Sequence, residues 1–227
     1  MRPGFLKSGW ALALVCLVGR LALADAAERG TARDRWQMPG EVVSTLGLRT
    51  GVVVADIGAG AGYFTMPFAR AVGPHGRVYA VDIDAHALEY VKKEAATQNL
   101  SNIETIVSRK DDPLLRRSSI DLAFFCDTVH EIADRPSFYR KVRQTLKKGG
   151  RMAVIHWIPA NSAGGGGSPD SDRQVSREAT LRETAAAGFR LVKEPKFLPQ
   201  QYFLIFERAA RDGARDKALP GREPSKP

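Results

Sequence analysis

Short, continuous apolar runs alternate along the chain with longer stretches whose apolar positions recur every third or fourth residue. A run apolar at every position is what a parallel strand buried on both faces requires, and the three-to-four spacing marks a helix with one buried side. On this basis strands are predicted over 52–57, 77–81, 103–107, 120–126 and 151–157, and helices over 39–46, 63–72, 85–98, 136–146 and 176–187. Local signals set the ends. Pro39 suits a first helical turn, Gly47 and Gly188 suit helix stops, Lys147-Lys148-Gly149-Gly150 closes the helix before the fifth strand, and Ser176 is an N-cap. Two β-rich segments follow, 189–194 and 201–207, joined by a turn holding Pro195 and Pro199 and short enough for an antiparallel hairpin. The expected fold is α/β: a doubly wound, mostly parallel seven-stranded sheet with helices on both faces and an antiparallel last strand.

Flanking segments read differently. Arg2 and Lys7 precede an apolar stretch from Trp10 to Gly19, and Ala22-Leu23-Ala24 offers small residues for cleavage, so residues 1–24 read as an export signal leaving Asp25 first. A cytoplasmic protein with a misassigned start is the alternative. The apolar stretch falls short of the ~20 residues of a spanning helix, and Arg20 interrupts it, so no stable membrane span is expected. Residues 25–38 read as a loose lead-in, 39–207 as one catalytic-size domain, 159–173 with its run of glycines as a flexible loop where a lid would lie, and 208–227 as a disordered basic tail.

Composition narrows the chemistry. At 227 residues and 44% hydrophobic, one full core is available, and the net charge of +9 reads as ordinary solvated lysine and arginine, with no nucleic acid expected as partner. Cys16 lies in the leader, leaving Cys126 as a buried structural thiol with no disulfide partner. His75, His86, His130 and His156 are scattered, without metal-ligand spacing.

The most informative stretch runs from Val52 to Tyr63, where an apolar strand leads into Asp56 and then Gly58, Gly60 and Gly62. Glycines at a strand-to-helix turn let the backbone close on a ligand at the carboxyl edge of the sheet. A dinucleotide fingerprint needs its third glycine one residue later, where Tyr63 stands. Asp56-x-Gly58-x-Gly60-x-Gly62 resembles motif I of class I S-adenosylmethionine-dependent methyltransferases, and the resemblance extends over roughly residues 39–207. It includes Val78 to Asp84 at the end of the second strand, Asp111-Asp112-Pro113 after the third, Ser119 to Glu131 around the fourth, and Leu146 to Met152 entering the fifth. The likeness is greatest to the small-molecule branch of ubiquinone/menaquinone-type and arsenite-type relatives.

That resemblance implies a Rossmann-like fold, S-adenosyl-L-methionine as cofactor, and methyl transfer. Asp56, the glycines and Asp127 are implied at the cofactor, with Asp82 on the ribose hydroxyls, Ile83 flanking the adenine, and Asp111 or Asp112 near its amino group. An in-line transfer demands positioning above all, and a base only where the acceptor carries a proton. His130 after the fourth strand is the candidate base, or else a residue that shapes the pocket. No Asn/Asp-Pro-Pro-aromatic sequence follows Phe125, which ranks nucleobase methylation lower, and Cys126 alone cannot supply the cysteines of arsenite-type relatives. A small organic acceptor, such as a quinone precursor or phenol, is the first expectation. A nucleic-acid or protein methyltransferase and a non-catalytic cofactor-binding protein are the alternatives.

Overall fold

A computed structural model describes residues 32–159 and 174–209. The expected leader, the expected loop beyond Pro159 and the expected tail beyond Ala209 lie outside the described residues. The strands are β1 (Val53–Ile57), β2 (Arg77–Asp82), β3 (Ile103–Val107), β4 (Ile120–Cys126), β5 (Leu146–Trp157), β6 (Phe189–Lys193) and β7 (Gln201–Arg208). They form one sheet in the order β3-β2-β1-β4-β5-β7-β6. β1 to β5 pair in parallel, and β7 runs antiparallel to both of its neighbours. The chain reverses its direction of growth between β3 and β4, which places a crevice outside the carboxyl ends of β1 and β4.

The helices are α1 (residues 32–37), α2 (Pro39–Leu46), α3 (Thr65–Val72), α4 (Ala85–Thr97), α5 (Arg135–Thr145) and α6 (Arg177–Ala186). Successive residues of a strand point to opposite faces, so the continuous apolar runs fill two cores at once. In β4, Leu122 and Phe124 join Phe64, Phe68 and Val72 on one face, while Ala123 and Phe125 join Phe138, Tyr139 and Val142 on the other. Polar residues fix the helix starts. The Asp84 side chain accepts from His86 N, Asp134 from Ser137 N, and Ser176 from Ala179 N.

Three differences from the expected elements have physical causes. The helix after the glycine turn begins at Thr65 rather than Tyr63, because the intervening residues form turns. Lys147 to Gly150 are extended, not a bare stop: β5 starts at Leu146, with Gly149 at φ 78 and a register shift opposite Ile120 and Leu122. The loose lead-in expected over 25–38 is helical from 32 to 37 and packed. Trp36 lies against Trp157 with ring centroids 5.0 Å apart, and buried Gln37 donates through Nε2 to Gln201 Oε1 at 2.5 Å. Those long-range contacts override a local sequence with no strong helix pattern.

Candidate cofactor and acceptor site

The site grows from the end of β1. Asp56 is buried, and its Oδ2 accepts from Thr65 Oγ1 at 2.6 Å. Burial pushes its pKa up to about 7, the Thr65 hydrogen bond and the Arg33 charge pull the other way, and the nearby Asp82 charge adds to the rise. Gly58 follows at φ 76, and a Cβ there would lie 1.8 Å from Thr128 Oγ1, so the turns after β1 and β4 touch at this point. Gly58 N and Ala59 N both donate to Val81 O, at 2.8 and 3.1 Å, binding the glycine turn to β2. Gly60, at φ 52, has open space where a side chain would stand, and Gly62 brings the turn close to Met66 and Val91.

Asp82, at the end of β2, completes the cradle. Its Oδ2 accepts from Gly60 N at 2.8 Å and its Oδ1 from Asp84 N at 2.9 Å. A carboxylate offers about four acceptor positions, so each oxygen keeps one for a ligand. Asp82 lines a cavity of about 370 Å³ together with Gly58, Gly60, Ile83, Thr128 and Glu131. Ile83 is a large apolar side chain left 51% exposed, at the residue after the carboxylate. On the other side of the glycine turn a smaller cavity of about 140 Å³ is lined by Arg33, Asp56, Tyr63 and Cys126, among others. Arg33 stacks 3.8 Å above the Tyr63 ring, and Tyr63 donates to Asp34 Oδ1 at 2.5 Å, so α1 borders this smaller cavity. Burial, followed by the Asp34 hydrogen bond, raises the Tyr63 pKa and keeps its hydroxyl protonated. Cys126 is half-buried, and its burial holds the thiol well above its ordinary pKa, as suits a structural thiol rather than a nucleophile.

Residues implied by the resemblance are therefore brought together in part. Asp56, Gly58, Gly60, Gly62, Asp82 and Ile83 converge on the glycine turn and its two cavities. Asp111 and Asp112 do not line either cavity. A tight bridge, Arg109 N to Asp112 O at 2.9 Å and Asp112 N to Arg109 O at 3.2 Å, turns this segment back on itself. Their carboxylates face Lys141 Nζ of α5, at 3.0 Å from Asp111 and 3.4 Å from Asp112, and Ser108, Arg109 and Lys110 line the cavity in their place. Asp127 lies at the end of β4 between Cys126 of the smaller cavity and Thr128 of the larger one, at φ 57. His130 sits in the short 3-10 turn Val129–Glu131, its Nε2 3.2 Å from Glu131 Oε1 and its ring centroid 5.3 Å from that of His156.

Thr128 and Glu131, which line the larger cavity, are functional candidates beyond those the motifs imply; they stand inside the fourth-strand motif, where adjacency to Asp127 is the available signal. Arg33 had no such signal, since only folding brings it to Tyr63. Among the described residues no cluster of three or more His, Cys, Asp or Glu side chains is placed to hold a metal ion, and no helix is long and apolar enough to cross a membrane.

The cradle fits a nucleoside-bearing cofactor on its own geometry. A carboxylate with spare acceptor positions matches vicinal ribose hydroxyls, a half-exposed Ile83 beside it matches the face of a purine, and a bare glycine backbone allows close approach.

Comparison with known proteins agrees with this reading. The sequence profile of the methyltransferase domain matches residues 48–187. The ubiquinone/menaquinone biosynthesis C-methyltransferase UbiE of Hahella chejuensis is 29% identical over 112 residues, covering 49% of this chain and 45% of that protein. Nocamycin O-methyltransferase of Saccharothrix syringae is 27% identical over 114 residues, covering 50% of this chain and 41% of that protein. The chain thus spans about half the length of the curated relatives it matches. In three dimensions, an S-adenosylmethionine-dependent methyltransferase from Aquifex aeolicus superposes with a TM-score of 0.71 at 23% identity, covering 77% of this chain and 92% of that one. The cradle at the carboxyl edge of the sheet and the matched profile together place the chain in the methyltransferase-domain family, among the class I S-adenosylmethionine-dependent methyltransferases.

Proposed function

We propose that this protein transfers a methyl group in line to a small organic acceptor of the phenol or quinone-precursor class. S-adenosyl-L-methionine supplies an electrophilic methyl on a sulfonium. The chain's own part is to bind, orient and exclude water. The observation that carries the reading is the cradle itself: Asp82 and Ile83 line the larger cavity, the buried Asp56 lines the smaller one, and Gly58 and Gly60 line both. UbiE and nocamycin O-methyltransferase, whose names state C- and O-methylation, support a small acceptor. A hydroxyl acceptor gives up a proton as the new bond forms. Asp127 and His130, which follow β4 on either side of Thr128 at the larger cavity, are the candidate bases for that proton.

Calorimetric titration with S-adenosylmethionine and S-adenosylhomocysteine tests the reading. Both ligands are expected to bind. Asp82→Ala removes the acceptor for both ribose hydroxyls and the partner of Gly60 N, and is expected to weaken binding about 10²- to 10⁴-fold, given about 1.5–3 kcal/mol for each of two hydrogen bonds to a charged group. Absence of binding by either ligand at millimolar concentration overturns the proposal.

Export through residues 1–24 is the accompanying proposal. The intact mass of protein recovered from the extracytoplasmic fraction is expected to begin at Asp25, and a chain that retains Met1 refutes cleavage.

A further inference from the structure

His156 is an almost completely buried histidine near the end of β5, and two neighbours determine which of its ring nitrogens carries the proton. Val175 N points at His156 Nε2 from 3.4 Å. A backbone N–H only donates, so Nε2 must accept, and the proton of the neutral ring then resides on Nδ1. Nδ1 faces Asp127 Oδ1 at 3.3 Å, outside hydrogen-bond alignment, and neither of these buried atoms makes a hydrogen bond among the described residues. Val175 is itself clamped. The Tyr202 hydroxyl donates to Val175 O at 3.0 Å, so its 2.8 Å contact with Thr180 Oγ1 must have the threonine as donor.

Asp127 thus has one oxygen buried against an imidazole N–H, while its side chain as a whole stays 23% exposed. Its backbone is held at φ 57, a left-handed conformation that a non-glycine residue adopts at a cost and that recurs at functional positions. Cys126 before it and Thr128 after it line the two cavities that flank the glycine turn.

We propose that Asp127 is the catalytic residue that takes the acceptor's proton, and that His156 is the residue that positions it. The inference rests on the proposed small-molecule methyl transfer and deepens it: the acceptor presents a hydroxyl. As the O–CH3 bond forms and the S–CH3 bond breaks with its electron pair left on sulfur, the hydroxyl proton passes to Asp127 Oδ2. His156 Nδ1–H keeps Oδ1 engaged, which fixes the direction in which Oδ2 points. His156 of β5 faces Asp127, the Tyr202 hydroxyl of β7 and the Cys126 thiol on its own strand feel its charge, and the His130 ring lies tilted against that of His156 with centroids 5.3 Å apart.

Two measurements on the full chain test this. Long-range 1H–15N correlation spectra of histidine-labelled protein are expected to show His156 as the Nδ1–H tautomer, and the Nε2–H tautomer overturns the proposal without touching the functional reading. Release of S-adenosylhomocysteine is then followed with a panel of phenols and hydroquinones as probe acceptors. Asp127→Asn is expected to lower kcat about 10²- to 10⁴-fold, the range for a lost general base, and to abolish the acid limb of the pH profile, at concentrations of S-adenosylmethionine that calorimetry shows to be saturating for the variant. His156→Asn keeps a donor near the Nδ1 position and is expected to retain most of the rate, whereas His156→Phe is expected to lose it. If Asp127→Asn keeps the wild-type rate and pH profile, or if His130→Gln rather than Asp127→Asn removes the acid limb, the proposal fails while the methyltransferase reading stands. If the wild-type protein binds S-adenosylmethionine yet methylates none of the panel, the hydroxyl acceptor is wrong and the role of Asp127 falls with it.

Discussion

Gly58→Ala is expected to destabilise the protein by about 2–5 kcal/mol and to abolish cofactor binding. Two costs add at this position. The left-handed φ of 76 costs an alanine about 1–2 kcal/mol, and the new Cβ would stand 1.8 Å from Thr128 Oγ1 and 2.5 Å from Thr128 Cβ, a collision only movement of the β4 turn relieves. That movement displaces Thr128, which lines the larger cavity, so binding and folding fail together. Urea unfolding and calorimetric titration measure the two effects. The double substitution Gly58→Ala with Thr128→Gly removes the colliding atoms and is expected to recover the clash but not the backbone strain. Gly60→Ala provides the contrast. Nothing lies within 4 Å of its Cβ position, so its stability cost is expected to stay near the backbone cost alone, about 1–2 kcal/mol, while binding is still lost because the methyl occupies the cradle. If Gly58→Ala leaves both stability and binding intact, the contact between the two turns is refuted.

Asp56→Asn is expected to remove a pH dependence of stability. The folded protein raises the Asp56 pKa from 3.8 to about 7, chiefly by burial, so folding favours the neutral acid. The stabilisation by this group is fully present below the unfolded value and is lost as pH rises through about 7. The loss amounts to roughly 4 kcal/mol at about 1.4 kcal/mol per pKa unit. Asparagine is neutral at every pH and can still accept from Thr65 Oγ1, so the variant's stability is expected to stay level between pH 4 and 8 where the wild-type contribution declines. Urea midpoints across that range check the sign. Parallel pH curves for the two proteins would mean that Asp56 ionises in the fold as freely as in water.

Much of this architecture was legible because the strands that matter are buried on both faces. Val53–Ile57 and Ile120–Cys126 have no polar face to confuse their period, and the structure reproduces their extents to within a residue. The cradle was equally legible, since Asp56, the glycines and Asp82 are placed by local turn geometry plus one parallel pairing, β1 with β2. Asp111 and Asp112 were not, because the direction of a loop carboxylate depends on what lies across from it, here Lys141 on α5, far along the chain. The same limit applies to α1. Its sequence, Ala32-Arg33-Asp34-Arg35-Trp36-Gln37, is mostly polar, and its helical state follows from Trp157, Tyr63 and Gln201, none of which is a sequence neighbour. His156 and Asp127 illustrate it at the site: each stands at or just past a strand end, and their approach needs β4 and β5 to be adjacent and in register.

The bond between Gln37 and Gln201 joins residues 164 positions apart, the first described helix and the last described strand. During synthesis Gln37 leaves the ribosome long before its partner exists, so this bond closes only after β7 is made. The amides of this short peripheral helix are expected to exchange with solvent ahead of those in the central strands, which hydrogen exchange measures. Because Arg33 is the only α1 side chain among the residues named at the smaller cavity, unwinding α1 is expected to widen that cavity at Asp56 while β1, β2 and β4 hold the glycine turn in place.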